Sequence, residues 1–432
     1  MTRLARKYDI VVLHIIFFIT LLAVYLSYIV DVYGYEGYLD DFNSSKLLVA
    51  MLVVLVATSM VRKRVTPSHF FLHLTLALVV TPSMVMYCGA NLPNEFALLI
   101  FFSFFLMALC ARAVNVRTID FVSFNHIVFL KYLAVLSILF VLSIFAFGGA
   151  HFINFDITLV YDIRDDAENN LPGIYGYLTP IFSKIIVPFA IIFALIHKNW
   201  IVVLILAFCS ILIFALTAHK APIFYPFIVV SIYLMGGKKN LVSLVLVTLI
   251  FMLGISEVDF WLAESTDDLI YGWVGNLLAK RSILNTTLLN WFYFDFFSEH
   301  KNYYWSQSSI TFGLADNPYK MSPELLIGQN YFPPLDRASP NTGWIGSGFA
   351  NSGYIGTFIY SVIIGCLFSF LDAYAKKIGE RLVIAMFTIP VLVMICASDF
   401  LAVLLTHGLV VSILLLMCVK PLFPISNKGV VV

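Results

Sequence analysis

Apolar runs of about 15 to 22 residues alternate with short polar segments along the whole chain, roughly the length of a helix that crosses the hydrocarbon core of a bilayer. The first run has no small-residue cleavage site and is followed by many others, so it predicts a membrane helix and not a signal peptide. The pattern predicts twelve membrane-spanning helices, at about 11–30, 47–61, 70–88, 96–111, 129–147, 177–196, 201–217, 222–235, 241–255, 344–371, 382–397 and 400–419.

Composition supports this pattern and excludes a soluble globular protein. Hydrophobic residues make up 61% of the 432 residues, charged residues only 12%, and the mean hydropathy is +0.94. Soluble domains are about half apolar and a quarter charged. The sequence therefore predicts an all-α polytopic integral membrane protein whose whole length, 1–432, forms a single transmembrane domain.

The distribution of charge predicts the sidedness of the helices. With both termini cytoplasmic, the inner segments hold 17 of the 26 basic residues but only four of the 25 acidic residues, as the positive-inside rule requires. The outer face then carries a medium loop, 148–176, and a long loop, 256–343, with amphipathic helices. Lys184 is the one basic residue that falls well inside a span. No nucleotide-binding motif lies on the short cytoplasmic loops, and nothing indicates a nucleic-acid partner.

Basic residues on the acidic outer face are few and lie near loop–membrane junctions. His219 and Lys220 sit at a short turn between the seventh and eighth predicted spans. A snorkelling lysine that marks an ordinary turn is one interpretation. The other interpretation is a cation that binds an anion near the headgroups. The presence of Arg164, Arg281 and Arg337 on the same face favours this second interpretation, because arginine binds phosphate in a bidentate manner.

Aromatic residues are concentrated in the long outer loop, and the stretch WFYFDFFSEHKNYYW begins at Trp291. Such residues anchor helices at the membrane interface, and a surface-lying helix that begins near Ser265 is expected to carry Trp273 and Trp291. Aromatic rings among Asp, Glu, Asn and Gln also suit sugars. The candidate sugar contacts are Trp291, Tyr303, Trp305 and Asn341.

Glycine is concentrated in NTGWIGSGFANSGYIG, which runs from Asn341 to Gly356 at the start of the tenth predicted span. These glycines predict either close helix packing or a bent, partly unwound helix beneath a cavity. The six cysteines all lie within or at the end of apolar runs, so neither a disulfide framework nor a metal cluster is expected.

Three segments resemble the Wzy-type O-antigen (oligosaccharide repeat unit) polymerases: LTAHKAP, LLAKRSILNTTLLNWFYFDFF and NTGWIGSGFANSGYIG. The resemblance implies a GT-C-like membrane glycosyltransferase of lipopolysaccharide biosynthesis in the bacterial inner membrane, with its active site facing the periplasm. Such an enzyme transfers the growing chain from undecaprenyl diphosphate onto the next lipid-linked repeat unit. The resemblance also implies a set of basic residues that bind the diphosphate, which we call the diphosphate clamp. In this sequence the matching residues are Arg164, Lys220, Arg281 and Arg337. Relatives often have arginine where Lys220 stands.

Glycosyl transfer from a lipid diphosphate needs cations for the leaving group and a base for the acceptor hydroxyl. Metal-independent transfer without a cofactor is expected. The partners are the lipid-linked oligosaccharide, membrane lipids and a chain-length-regulating co-polymerase. The sequence leaves several general-base candidates open: His219, Asp165, Asp166, Asp259 and Asp336.

Two other functions fit part of the pattern. An O-antigen ligase uses the same donor and delivers it to lipid A core. A lipid-linked oligosaccharide flippase or other secondary transporter also has about twelve spans, but transporters place charges at the membrane midplane, where only Lys184 is expected here.

Overall fold

The computed structural model describes residues 5–61, 66–119, 124–153, 170–217, 221–236, 240–266, 272–308, 311–333 and 339–420. These ranges are helical apart from turns, loops and an isolated β-bridge between Phe124 and Val419. Nine helices within them are long and apolar enough to cross a membrane. The prediction of an all-α protein with many membrane-crossing helices is therefore confirmed, while the count of twelve and the cytoplasmic termini stay predictions.

The helices follow one another along the chain and overlap every predicted span. We number those used below as α1 Ile10–Glu36, α2 Ser44–Met60, α3 Pro67–Gly89, α4 Asn94–Ala113, α5 His126–Ala146, α6 Tyr175–Ile196, α7 Trp200–Thr217, α8 Pro222–Met235, α9 Leu241–Thr266, α10 Asn285–Glu299, α11 Pro323–Tyr331, α12 Trp344–Ile378, α13 Glu380–Cys396, α14 Phe400–Leu405 and α15 Leu409–Met417. The last of the nine spans, Phe400–Met417, consists of α14 and α15, and two further apolar helices, α2 and α8, are shorter than a full crossing.

The chain divides into two compact units. The first consists of Met1–Asn115, Lys239–Ser369 and Val393–Phe400, and α3 lies at its centre, buried along almost its whole length. A helix that is apolar on all sides is typically enclosed by others, and α3 packs against α1, α2, α4, α9 and α10. Phe71 of α3 stacks on Phe368 with 5.5 Å between ring centroids.

The second unit consists of Val116–Lys238, Phe370–Leu392 and Leu401–Val432. Its centre is the second half of α6, where every residue from Val187 to Leu195 is buried. This half packs against α5, α7 and α8. Phe193 of α6 meets Phe129 of α5 edge to face, with 4.9 Å between ring centroids.

Outward-facing side chains of the peripheral helices are large and apolar. On α2, Leu48 and Leu52 are 72% and 60% exposed, and on α7 the exposed fractions of Ile201, Leu204 and Phe208 are 72%, 69% and 58%. Spacings of three and four residues place such side chains on one helix face. These exposed apolar faces are typical of helix surfaces that contact lipid.

The glycine-rich segment at the start of α12 forms a hairpin of two helices. Ser352 (φ −159°, ψ 38°) and Gly353 (φ 55°, ψ −139°) leave the helical conformation. The Trp344 indole N–H donates to the Ser361 hydroxyl at 3.0 Å, although these residues would lie about 25 Å apart in a straight helix. The first eight residues of α12 therefore fold back on its longer part. The predicted span at 344–371 is therefore interrupted near its start, at Ser352 and Gly353.

Glycine makes this return possible. A Cβ atom on Gly356 would lie 2.2 Å from the Gly348 carbonyl oxygen, and one on Gly348 would lie 2.7 Å from the Thr357 Cα. These distances are far inside van der Waals contact, so neither position accommodates a larger residue without opening the hairpin. The close approach and the bend that these glycines predict are both present, and the cavity beneath the bent helix stays a prediction. We call residues 344–361 the glycine hairpin.

Replacing Gly356 by alanine is expected to destabilise the protein by about 3 kcal/mol, because the new methyl group meets backbone atoms that cannot rotate away. Thermal unfolding of the purified protein in detergent measures the loss. Gly254→Ala in α9 is the control, since a Cβ atom there meets nothing within 4 Å. Alanine at that helical position is expected to be neutral or stabilising by roughly 0.5–1 kcal/mol. Equal melting temperatures for the two variants would contradict the close approach.

Candidate functional site

The fold joins two of the three segments that carry the sequence resemblance. Asn290 lies in the middle of α10, is only 1% exposed, and reaches the start of the glycine hairpin. Its Oδ1 accepts hydrogen bonds from the Thr342 hydroxyl at 2.7 Å and from the Gly346 N–H at 3.0 Å. LLNWFYFDFF and NTGWIGSG are therefore parts of one buried assembly within the first unit.

Asn290 acts as the helix cap that the hairpin lacks. The Ser347 N–H donates to the Gly343 carbonyl at 3.2 Å, which makes Gly343 the N-cap residue. An N-cap side chain normally accepts from the second or third N–H of the helix. Gly343 has no side chain, and a Cβ atom there would lie 2.3 Å from the Ile395 carbonyl oxygen. The cap therefore comes from another helix, through the bond from Gly346 to Asn290.

The far end of the first half of the hairpin is satisfied by the long loop. A break interrupts the regular pairing of helix carbonyls, so those just before it need other donors. Three bonds supply them, from Asn302 Nδ2 to the Phe349 carbonyl at 2.8 Å, from the Tyr303 N–H to Ala350 at 2.9 Å and from the Tyr304 N–H to Asn351 at 2.8 Å. This stretch of the loop is thus fixed to the hairpin.

Two of the four candidate sugar contacts are engaged in this docking. Tyr303 is fully buried, its hydroxyl donates to the Met321 carbonyl at 3.0 Å, and burial raises its pKa well above the usual range. The Trp305 indole N–H donates to the Tyr360 hydroxyl at 2.7 Å. The polar groups of both side chains already have partners within the protein. A sugar could therefore contact only the ring faces of Tyr303 and Trp305, and these two sugar contacts stay predictions.

The other two candidates lie at different places on the same assembly. Trp291 is partly exposed and packs edge to face on Phe96, with 5.6 Å between ring centroids. Asn341 is exposed at the entrance of the glycine hairpin, and within the described residues its side chain makes no hydrogen bond. Asn341 is therefore free to meet a polar ligand, whereas Trp291 presents only part of its ring.

Only part of the expected surface-lying helix lies on a surface. Trp273 is 62% exposed, but ten of the fifteen residues of α10 are buried. The expectation of a surface-lying helix is wrong for α10, because its aromatic residues pack inside the first unit instead of facing an interface. Between them lies Asn276–Leu284, a nine-residue π-helix, a wide winding that is rare at this length and often found at functional sites.

Two neighbouring cations of this π-helix, Lys280 and Arg281, have different surroundings. Lys280 is 5% exposed, its Nζ lies 2.5 Å from the Glu36 carboxylate and 3.9 Å from the centre of the Tyr33 ring. Burial lowers the pKa of Lys280, and the Glu36 carboxylate opposes that shift. Arg281 is exposed and has no ion pair within the described part of the chain. Lys280 is thus committed to Glu36, and Arg281 is available to a ligand.

Asp259, one of the five candidate bases, also has a structural partner. Its Oδ2 accepts a hydrogen bond at 2.8 Å from the Gly275 N–H, just before the π-helix. The remaining predicted site residues lie outside the described ranges: Arg164, Asp165, Asp166, His219, Lys220, Asp336 and Arg337. Of the four predicted clamp residues, the structure describes only Arg281. The assignments of Arg164, Lys220 and Arg337 to the clamp stay predictions.

Sequence reasoning missed Asn290 and Glu36. Asn290 had a recognisable signal, since it is a lone amide within the apolar run LLNWFYF. Glu36 had none, because 244 residues separate it from Lys280. Among the described residues, no group of His, Cys, Asp or Glu is arranged to hold a metal ion, and metal-independent chemistry stays a prediction.

Asn290→Ala is expected to cost about 2–3 kcal/mol of unfolding free energy, because it leaves the buried Thr342 hydroxyl and Gly346 N–H without their acceptor. Denaturant titration of the purified protein measures the loss. Asn341→Ala is the matched control: it removes an exposed amide from the same assembly and should change stability by less than about 0.5 kcal/mol. A loss no larger for Asn290 than for Asn341 would show that the cap is dispensable.

Lys280→Met is expected to destabilise the protein by about 1–3 kcal/mol, because the partly buried Glu36 loses its counter-ion. The double variant Lys280→Met with Glu36→Gln should recover most of this loss, since it removes the unpaired charge. A double-mutant cycle from melting curves measures the coupling. Additive effects of the two substitutions would mean that the ion pair contributes nothing.

No protein-family model, curated protein or solved structure matches this chain. Function therefore has to be inferred from the sequence resemblance and from the assembly of α10, the π-helix, the long loop and the glycine hairpin.

Proposed function

We propose that this protein is a membrane glycosyltransferase that polymerises polyprenyl-diphosphate-linked repeat units of O-antigen at the periplasmic face of the bacterial inner membrane. One observation carries most of the support. Asn290 joins two segments that resemble the Wzy-type polymerases through two hydrogen bonds, with partners that lie 52 and 56 residues further along the chain. A GT-C-like arrangement of the helices is part of the proposal.

The exposed Arg281 is the described residue best suited to the leaving group. As polyprenyl diphosphate departs, negative charge develops beside the membrane, and a fixed cation stabilises it. Lys280 is neutralised by Glu36, whereas Arg281 retains its donors at the same π-helix. In the proposal, Arg164, Lys220 and Arg337 complete the diphosphate clamp.

The acceptor hydroxyl must lose a proton during transfer. Asp259 already accepts the Gly275 N–H through one carboxylate oxygen, which weighs against it as the base. His219, Asp165, Asp166 and Asp336 remain the proposed candidates. Exposed Asn341, at the entrance of the glycine hairpin, is the amide that we assign to sugar binding.

The transporter alternative is favoured by a single feature. Lys184 lies near the middle of α6, where an ionisable side chain is costly and commonly serves transport. A flippase would use that lysine and have no need of Arg281. The two functions therefore differ in which cation they require.

Arg281→Gln is expected to slow chain extension by roughly 100- to 1,000-fold, the order of effect of one lost donor to a developing oxyanion. The measurement uses purified protein in liposomes that contain a synthetic undecaprenyl-diphosphate-linked repeat unit. Lys301→Gln, which removes another exposed cation of the long loop, should retain the wild-type rate.

Lipopolysaccharide gels distinguish the alternatives in cells. Deletion of a polymerase leaves core with a single repeat unit, whereas deletion of a ligase or flippase leaves core alone. Restoration of a full ladder by Arg281→Gln at normal protein levels would refute its role in the clamp. Core alone in the deletion strain would refute polymerisation itself.

A further inference from the structure

Two cysteines from different helices of the first unit meet at the contact between α4 and α12. Cys110 lies near the end of α4, and Cys366 lies in the long part of α12. Both are free thiols, and a side-chain hydrogen bond joins them. Two thiols in contact are able to exchange with a disulfide as a pair, which a single cysteine is not.

Glycine brings the two helices together at this point. A Cβ atom on Gly365, the residue before Cys366, would lie 2.7 Å from the Cys110 Cβ atom and 2.5 Å from the Met107 carbonyl oxygen. Only a residue without a side chain allows α12 to pack this closely on α4. A disulfide needs Cα atoms within about 7 Å of each other and side chains that point together. The close approach at Gly365 and the contact between the thiols favour both conditions.

The pair lies near the polar end of α4. The Val114 N–H donates to the Cys110 carbonyl at 3.1 Å, so Cys110 belongs to the last turn of that helix. At the same end, the Ser369 hydroxyl of α12 donates to the Val114 carbonyl at 2.6 Å, and Arg112 is exposed. Both cysteines are themselves partly exposed. A small reagent can therefore reach the thiols without opening the core of the unit.

We propose that Cys110 and Cys366 form a redox-reactive dithiol that closes reversibly to a disulfide by exchange with a low-molecular-weight disulfide of the glutathione type. One cysteine, as its thiolate, attacks the small disulfide and releases a first small thiol. The other cysteine then attacks the mixed disulfide and releases a second small thiol. The two protein thiols supply the two electrons and two protons that the small disulfide takes up.

The disulfide would tie the long part of α12 to α4, whereas the reduced pair leaves these helices held by packing and by the bond from Ser369. Cytosolic glutathione keeps most thiols reduced, so the reduced pair is the expected resting form on a cytoplasmic side, and oxidation closes it. The inference does not depend on glycosyl transfer.

Glutathione disulfide is the probe, applied to the full-length protein in nanodiscs. After quenching and denaturation, maleimide-polyethylene glycol counts the remaining thiols by gel shift. Wild type is expected to lose two of its six free thiols, dithiothreitol should restore them, and peptide mapping should find Cys110 joined to Cys366. The oxidised protein should also melt at a higher temperature than the reduced protein, because the cross-link restricts the unfolded chain.

Serine variants identify the pair. Cys110→Ser and Cys366→Ser should each lose no thiol to a disulfide and show no rise in melting temperature. Cys418→Ser is the matched control, since it removes another partly exposed cysteine, and it should still lose two thiols on oxidation.

The proposal is overturned if wild type retains all six thiols, or if Cys110→Ser loses as many as wild type does. A cross-link that forms with copper–phenanthroline but never with glutathione disulfide overturns it too, because the thiols would then be close but unreactive in exchange. Should a serine variant fail to fold, peptide mapping of the oxidised wild type decides the matter alone.

Discussion

In a bilayer, a backbone N–H or C=O group that leaves its helix finds no water, and its partner must come from the protein. The organisation of the first unit follows from this constraint. The break at Ser352–Gly353 is tolerated because the long loop supplies donors to the carbonyls that precede it. The new helix start that the return creates is tolerated because Asn290 supplies an acceptor. Without the donors of the long loop or the acceptor of Asn290, the hairpin would contain unpaired backbone groups in an apolar interior.

Hydropathy predicted where the helices lie because each apolar run had about the length of a crossing. It could not predict the return of α12, since hydropathy carries no information on the backbone conformations of Ser352 and Gly353, which reverse the chain. Nor could it distinguish Lys280 from Arg281. Their different surroundings arise from Glu36, which the chain brings to one of them and not to the other. Asn290 was recognisable as an unusual amide, but its role required the position of Gly343.

The two units contain contrasting interruptions of their helices. In the first, amides and N–H groups of the same unit form hydrogen bonds with the groups that the break exposes. In the second, the break between α14 and α15 at Gly408 brings Lys184 and His407 together, with 2.9 Å between Nζ and Nδ1. Glycine has the same steric role in both places, since it allows one backbone or helix to approach another. The chemistry differs because only the second interruption carries ionisable side chains.

The docking of Asn302, Tyr303 and Tyr304 on the glycine hairpin also bears on the order of biosynthesis. This stretch of the long loop is made before the hairpin, so the donors are already in place when the interrupted helix leaves the ribosome. The hairpin can then close against an existing partner as it enters the membrane. Chain order thus gives the folding of α12 a direction from loop to helix, and a rearranged chain that delivered α12 first would expose its broken helix to lipid before any partner existed.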